Sequence, residues 1–116
     1  MVNENNIASI VAEAQKAGLV ALENAIPKAM LVDNRYLVEG GVCGFAWVNV
    51  YGIRSNSKLG KVLDRLGFRK SSYEKAHQFW VFDGGQSMER KEAYAIAMAD
   101  VLRKAGLRAY ADCRMD

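Results

Sequence analysis

Apolar residues return at helical spacing from the start of the chain. Ile7, Ile10, Val11, Ala14, Gly18, Ala21, Leu22 and Ala25 form one stripe, opposite Glu13, Lys16 and Glu23. Asn3 suits the N-cap. Pro27 ends the helix by biasing Ile26 away from helical geometry. Gly18 weakens a helix interior by about 1 kcal/mol relative to alanine, and on an apolar stripe it lets a neighbour come close. Two short runs, 29–32 and 35–38, flank Asp33-Asn34. Both turn residues tolerate left-handed angles, so a tight hairpin is expected. Glu39-Gly40-Gly41 breaks the pattern.

The period then changes to two. From 42 to 51, Cys43, Phe45, Trp47, Asn49 and Tyr51 share one face, and Gly44, Ala46, Val48 and Val50 share the other. Both faces are largely apolar, which predicts a central strand covered on both sides. Gly44 and Ala46 leave room for a packed helix. Ser55 or Ser57 caps a helix running to about Leu66, with Leu59, Val62, Leu63 and Leu66 inward and Gly67 as its stop. Residues 71–75 read as a polar loop and 78–82 as a second strand. Ser87 caps a helix from Met88 to about Ala105, whose apolar face is Tyr94, Ala97, Met98, Val101, Leu102 and Ala105. Gly106 stops it. Residues 107–113 form a last strand, with Arg108, Tyr110, Asp112 and Arg114 on one face, as in a half-exposed strand.

The order is helix, hairpin, strand, helix, strand, helix, strand. It predicts an α+β domain with a mixed sheet and helices packed on it. Strands joined by helical crossovers are expected to lie parallel, as in ferredoxin-like arrangements. At 116 residues, one domain is expected over 1–116, with an N-terminal helix (1–27) and an α+β core (28–116).

Composition narrows the class. Half the residues are apolar and a quarter charged, which argues against global disorder. No stretch is long and apolar enough to span a bilayer, and the first residues lack the features of a signal peptide. A cytoplasmic protein with two reduced cysteines, Cys43 and Cys113, and no membrane partner is therefore expected. The net charge of +3 is uneven: residues 54–75 hold seven basic side chains against Asp64 and Glu74, giving +5 and leaving −2 elsewhere. This asymmetry suits an anionic partner.

Three blocks, GVCGFAWVNV (41–50), GQSMERKEAYA (85–95) and AGLRAYADCRMD (105–116), resemble a family of small tailed-phage proteins with no assigned activity. The resemblance covers the last two thirds of the chain. It implies a viral protein made in a bacterial host, and it carries over no catalytic residue.

Several side chains offer candidate chemistry. Lys58, Lys61 and Arg65 share a helical face, and Arg54 and Arg69 extend the line, a stripe suited to phosphates or to an acidic protein patch. A solvated helix face explains the same charges. The strand aromatics are possible stacking platforms for bases, as in RNA recognition motifs. The first signature pattern of that motif is absent, so core packing is the simpler expectation. The family blocks point elsewhere, to Asn49, Gln86, Arg90 and Arg114. Gly84-Gly85-Gln86-Ser87 precedes a helix start but lacks the residues of a phosphate-binding loop. A nucleophile, base and orienter can be imagined from Cys43, His77 and Asp83, but Cys43 is mid-strand, where a thiol is not activated. One histidine and two scattered cysteines make no zinc site.

The expected function is therefore non-enzymatic and cofactor-free. The leading expectation is a phage accessory protein that binds a host or phage protein, for example to inhibit a host factor or defence. A nucleic-acid or nucleotide binder using the basic stripe, and a homo-oligomeric virion component, are the alternatives.

Overall fold

The computed structural model describes residues 2–25, 31–32, 36–37, 44–71, 75–83 and 87–115. Its elements are α1 (Ile7–Asn24), β1 (Leu31–Val32), β2 (Tyr36–Leu37), β3 (Gly44–Tyr51), α2 (Lys58–Arg65), β4 (Arg69–Lys70), β5 (Ala76–Trp80), α3 (Met88–Lys104) and β6 (Arg108–Met115). The α+β class, the N-terminal helix, the hairpin and the alternation of strands and helices match the periodicity. β1 and β2 pair antiparallel. The Asp33-Asn34 turn, the Pro27 stop, the 39–41 break, Val42, Cys43 and Gly84-Gly85-Gln86 lie outside the described residues.

The main sheet has the order β4-β5-β3-β6 and is antiparallel at every pairing. The expected parallel neighbours are therefore corrected. β5 and β6 both run against β3, so they are parallel to each other, and α3 joins them across β3. The crossover unit forms, but with a strand inserted between its two members. This is the split β-α-β arrangement of the β-α-β-β-α-β succession. β4 escapes the sequence reading because two residues are too few to show a period.

Local sequence explains the helix ends. The N-cap of α1 is Asn6 rather than the expected Asn3. Asn3 Oδ1 instead accepts the N–H groups of Asn5 and Asn6 at 2.8 and 3.1 Å, holding the turn before the helix. Ser57 accepts from Gly60 at 3.0 Å and Ser87 from Arg90 at 3.3 Å. Each cap is worth about 1 kcal/mol.

The core lies between one sheet face and the helices. Ala46, Val48, Val50 and Ala109 meet Leu63 of α2, Phe68, and Tyr94, Ala95, Met98, Ala99 and Leu102 of α3. α3 also packs against α1. It therefore buries a wider face than its apolar stripe predicts, adding Ala95 and Ala99. Contact between α1 and α3 depends on Gly18: a Cβ there would lie 2.8 Å from the Tyr94 ring. The glycine on the predicted stripe is thus the point of close approach.

The side chains of β3 that alternate with this core point to the other face of the sheet. Among the described residues no helix packs there. The expected cover on both faces is met by helices on one face only.

Candidate functional site

The basic stripe of the sequence divides in space. Lys58, Lys61 and Arg65 are exposed on α2. They line a shallow cavity of about 360 Å³ with Glu4 and Asn5, from the turn before α1. Arg54 belongs to the loop between β3 and α2. Arg69 lies on β4, paired with Gln78, and faces the helix-free side of the sheet. Lys61 and Arg65 also line a cavity of about 450 Å³ with Ser55, Gly60, Asp64, Lys70 and His77, so the surfaces of α2 and of the Arg54 loop adjoin, while Arg69 serves the sheet.

One of these surfaces is a broad, open concavity. Where β3 ends, a cavity of about 790 Å³ is lined by Tyr51, Gly52, Ile53, Arg54, Ser55, Asn56, Lys70, Lys75 and Arg108. Four of the described lining residues are cationic and, among the described residues, none is acidic. The loop that carries Arg54 is fixed. Ser57 Oγ and N–H both donate to the Arg54 carbonyl, at 2.6 and 3.1 Å. The first turn of α2 presses on the same loop at Gly60, where a Cβ would collide with the Arg54 carbonyl. Lys70 Nζ donates to Ser55 Oγ at 3.1 Å. His77, which is buried, places Nε2 3.0 Å from the Ile53 carbonyl oxygen. The loop is thus tied to α2, β4 and β5, while the Arg54 side chain stays exposed.

Tyr51 connects this concavity to the helix-free sheet face. Pairing places Trp47 beside Trp80 and Asp112, Asn49 beside Gln78 and Tyr110, Tyr51 beside Arg108, and Phe45 beside Arg114. The rings interlock. Trp47 and Trp80 stack at 4.5 Å, Phe45 meets Trp80 edge-on at 6.1 Å, and Tyr51 and Tyr110 lie 6.2 Å apart. Cations sit over them: Lys91 and Arg114 each 5.6 Å from the Phe45 ring, Arg103 5.6 Å from Tyr110, and Arg108 6.0 Å from Tyr51. Each such contact is worth roughly 0.5–1 kcal/mol at an exposed site.

Polar groups run between the rings. Gln78 Nε2 donates to Asn49 Oδ1 at 2.9 Å, and Trp80 Nε1 donates to Gln78 Oε1 at 3.3 Å. Asn49, a predicted site residue, is buried at 3% exposure. Its carbonyl is satisfied by this relay. The Trp47 indole N–H is buried and, among the described residues, lacks an acceptor. An unmade bond of this kind costs about 1–3 kcal/mol.

At the far end of the face, about 20 Å along β3 from Tyr51, a second cavity of about 290 Å³ is lined by Phe45, Gly67, Arg69, Trp80 and Phe82. Phe82 is 85% exposed.

The remaining candidates are scattered. Arg114 is on the helix-free face beside Phe45. Arg90 is exposed in the first turn of α3, on the helix side of the sheet. Gln86, like Cys43, lies outside the described residues. Asp83 is exposed in the turn after β5. Cys113 donates its thiol to Glu92 Oε2 at 2.8 Å. That hydrogen bond, burial and the nearby carboxylates push the thiol up to about 11. Burial, helped by the Asp83 charge, pushes Tyr94 up to about 12. Both groups are held neutral, the opposite of an activated nucleophile. Among the described residues no cluster of His, Cys, Asp and Glu has the makings of a metal site, and no helix is long and apolar enough to cross a membrane.

Comparison with family models, with curated proteins and with solved structures finds no match.

The sequence reading names Arg54, Arg69, Asn49 and Arg114, yet it misses the surface that joins them. Lys70, Lys75 and Arg108 complete the concavity, and Trp80 and Phe82 complete the aromatic cluster. The available signal is alternation: Trp80 and Phe82 share a face, as do Phe45 and Trp47, and Arg108, Tyr110 and Arg114. Only strand pairing shows that these are one surface.

Proposed function

We propose that this chain is a non-enzymatic binding domain that holds single-stranded nucleic acid by its phosphates, in the basic concavity at the end of β3. The observation that carries the reading is the cavity lined by Arg54, Lys70, Lys75 and Arg108, with no acidic side chain among the described residues of its lining. Its fixed loop presents charge without ordering a flexible segment on binding. Tyr51, on its wall, leads to a sheet face with exposed rings and arginines, a combination suited to single strands. Four-stranded sheets with surface aromatics serve this purpose in RNA recognition motifs, an argument by analogy of fold.

Fluorescence anisotropy with single-stranded oligonucleotides tests it. Four phosphate contacts predict a slope of about −3 in log affinity against log salt, so a fourfold rise in salt weakens binding about fifty-fold. Reversing the charge of both Arg54 and Arg108 to glutamate should remove binding. No binding at low salt, or binding untouched by that double variant, defeats the reading.

A protein partner is the second reading. It is supported by the resemblance to tailed-phage proteins and by exposed Leu19 and Val20 on α1 and Ile96 on α3. A pull-down from infected host lysate with and without nuclease separates the two. A partner retained after nuclease treatment, and lost when Leu19 and Val20 become serine, favours protein recognition.

A further inference from the structure

We infer that the cavity formed by Phe45, Arg69, Trp80 and Phe82 is a nucleobase pocket, in which one unpaired base of the bound strand stacks while its phosphates reach the basic concavity. The inference rests on the phosphate-binding reading above and adds to it a second contact point and a requirement for a single strand.

Four observations carry it. The pocket is walled by aromatic side chains with a guanidinium at its edge, the side-chain set that stacks on any base face. Its volume of about 290 Å³ is at the small end of ligand sites, which suits one ring system. Phe82 is left 85% exposed although it is large and apolar. Trp80 is held in place by stacking on the buried Trp47 ring at 4.5 Å, so this wall of the pocket is preformed. Charge favours this occupant over an apolar one. Arg69 and Arg114 flank the rings, and along β6 toward the concavity come Asp112 and then Arg108, so cations predominate along the path.

The separation of about 20 Å between the pocket and Tyr51 leaves space for more than one nucleotide. Tyr110, 51% exposed beside Tyr51, is a stacking surface between the two ends. A duplex hides the base faces that the pocket requires, so double-stranded nucleic acid should be held by phosphate contacts alone.

The test uses the full chain and three labelled probes of about twelve nucleotides: a thymidine oligomer, a uridine oligomer and an abasic deoxyribose-phosphate oligomer. The expected result is about tenfold tighter binding of a base-bearing oligomer than of the abasic one. Preference for thymidine or for uridine supports the proposal equally. Phe82→Ala and, separately, Trp80→Ala should bring that affinity down to the abasic level while leaving abasic binding unchanged. Phe82 is almost fully exposed, so its removal leaves the fold intact even if Trp80→Ala perturbs it. Equal binding of all three probes by the unaltered chain overturns the base pocket and leaves phosphate binding standing, as does an unchanged preference in Phe82→Ala. Failure of every probe to bind overturns both readings. Light scattering without oligomer completes the test: self-association lost in Phe82→Ala assigns the pocket to a second copy and overturns the proposal.

Discussion

The two faces of the β4-β5-β3-β6 sheet are made from the same strands and are built by different rules. Toward the helices β3 presents Ala46, Val48 and Val50, and β6 presents Ala109, Ala111 and Cys113. These are small side chains that let helices approach and fill. Away from the helices the same strands present Phe45, Trp47, Asn49 and Tyr51, and Arg108, Tyr110, Asp112 and Arg114. These are large rings, amides and ions that join into stacks and relays. A face that only needs cover is served by aliphatic side chains. Rings with cations over them offer a partner both stacking and charge. On the proposed reading, the difference places core packing on one face and recognition on the other.

The most severe way to break this division is on the helix side. Met98 is fully buried between α3's neighbours. Met98→Ala should cost about 2–5 kcal/mol through lost packing and the cavity left behind, read as a lower midpoint in urea unfolding. Oligonucleotide affinity of the molecules that remain folded should not change. A change of less than about 1 kcal/mol would mean that the site collapses around the smaller residue.

A smaller effect is expected within the recognition face. Gln78→Ala removes the donor to the buried Asn49 carbonyl and the acceptor of the Trp80 N–H. A buried carbonyl left without a partner costs about 1–3 kcal/mol. Replacing both residues, as in Asn49→Leu with Gln78→Leu, should recover the part of that loss due to the Asn49 carbonyl, leaving only the half-buried Trp80 N–H to find a new acceptor. If the double variant is no more stable than Gln78→Ala, the relay is not what holds the centre of this face together.

These two residues also mark how far the sequence can be read. Met98 is visible as core because helical periodicity is local: Tyr94, Met98 and Leu102 recur on one face whatever they pack against. The caps Ser57 and Ser87, and the glycines that follow α2 and α3, are local signals of the same kind. Asn49 is visible only as an oddity on an aromatic face, since its partner stands 29 positions later and strand order has no local signature. The alternation in β3 defines two faces but not which one receives the helices. For the same reason the basic residues read as one stripe. Arg69 follows α2 in sequence, but β4 turns it onto the sheet, and Arg108 joins Arg54 only because β6 pairs with β3.

Phe82→Ala should barely alter stability, within about 0.5 kcal/mol, since a side chain this exposed contributes little to packing. Thermal unfolding checks it, and a loss as large as that of Gln78→Ala would make Phe82 part of the fold rather than of the recognition face.

The smallest effect concerns the chemistry of the quiet face. Cys113 lies on the helix side of β6, with its thiol bonded to Glu92 of α3. That bond, burial and nearby negative charge raise the thiol from about 9 to about 11, so folding favours the neutral form. The contribution to stability is complete below pH of about 9 and is lost as pH rises through about 11. Because the thiolate is the reactive species, alkylation by iodoacetamide should be slow at neutral pH and accelerate only as pH approaches the raised value. Mapping the modified peptide separates Cys113 from Cys43. Glu92→Gln removes the charge and should move the labelling profile toward that of the urea-unfolded chain. Identical profiles for the folded and unfolded chain would show that Glu92 does not restrain the thiol. The expected shift instead makes Cys113 a structural side chain, half-buried at the edge of the core and kept from reacting by its neighbour.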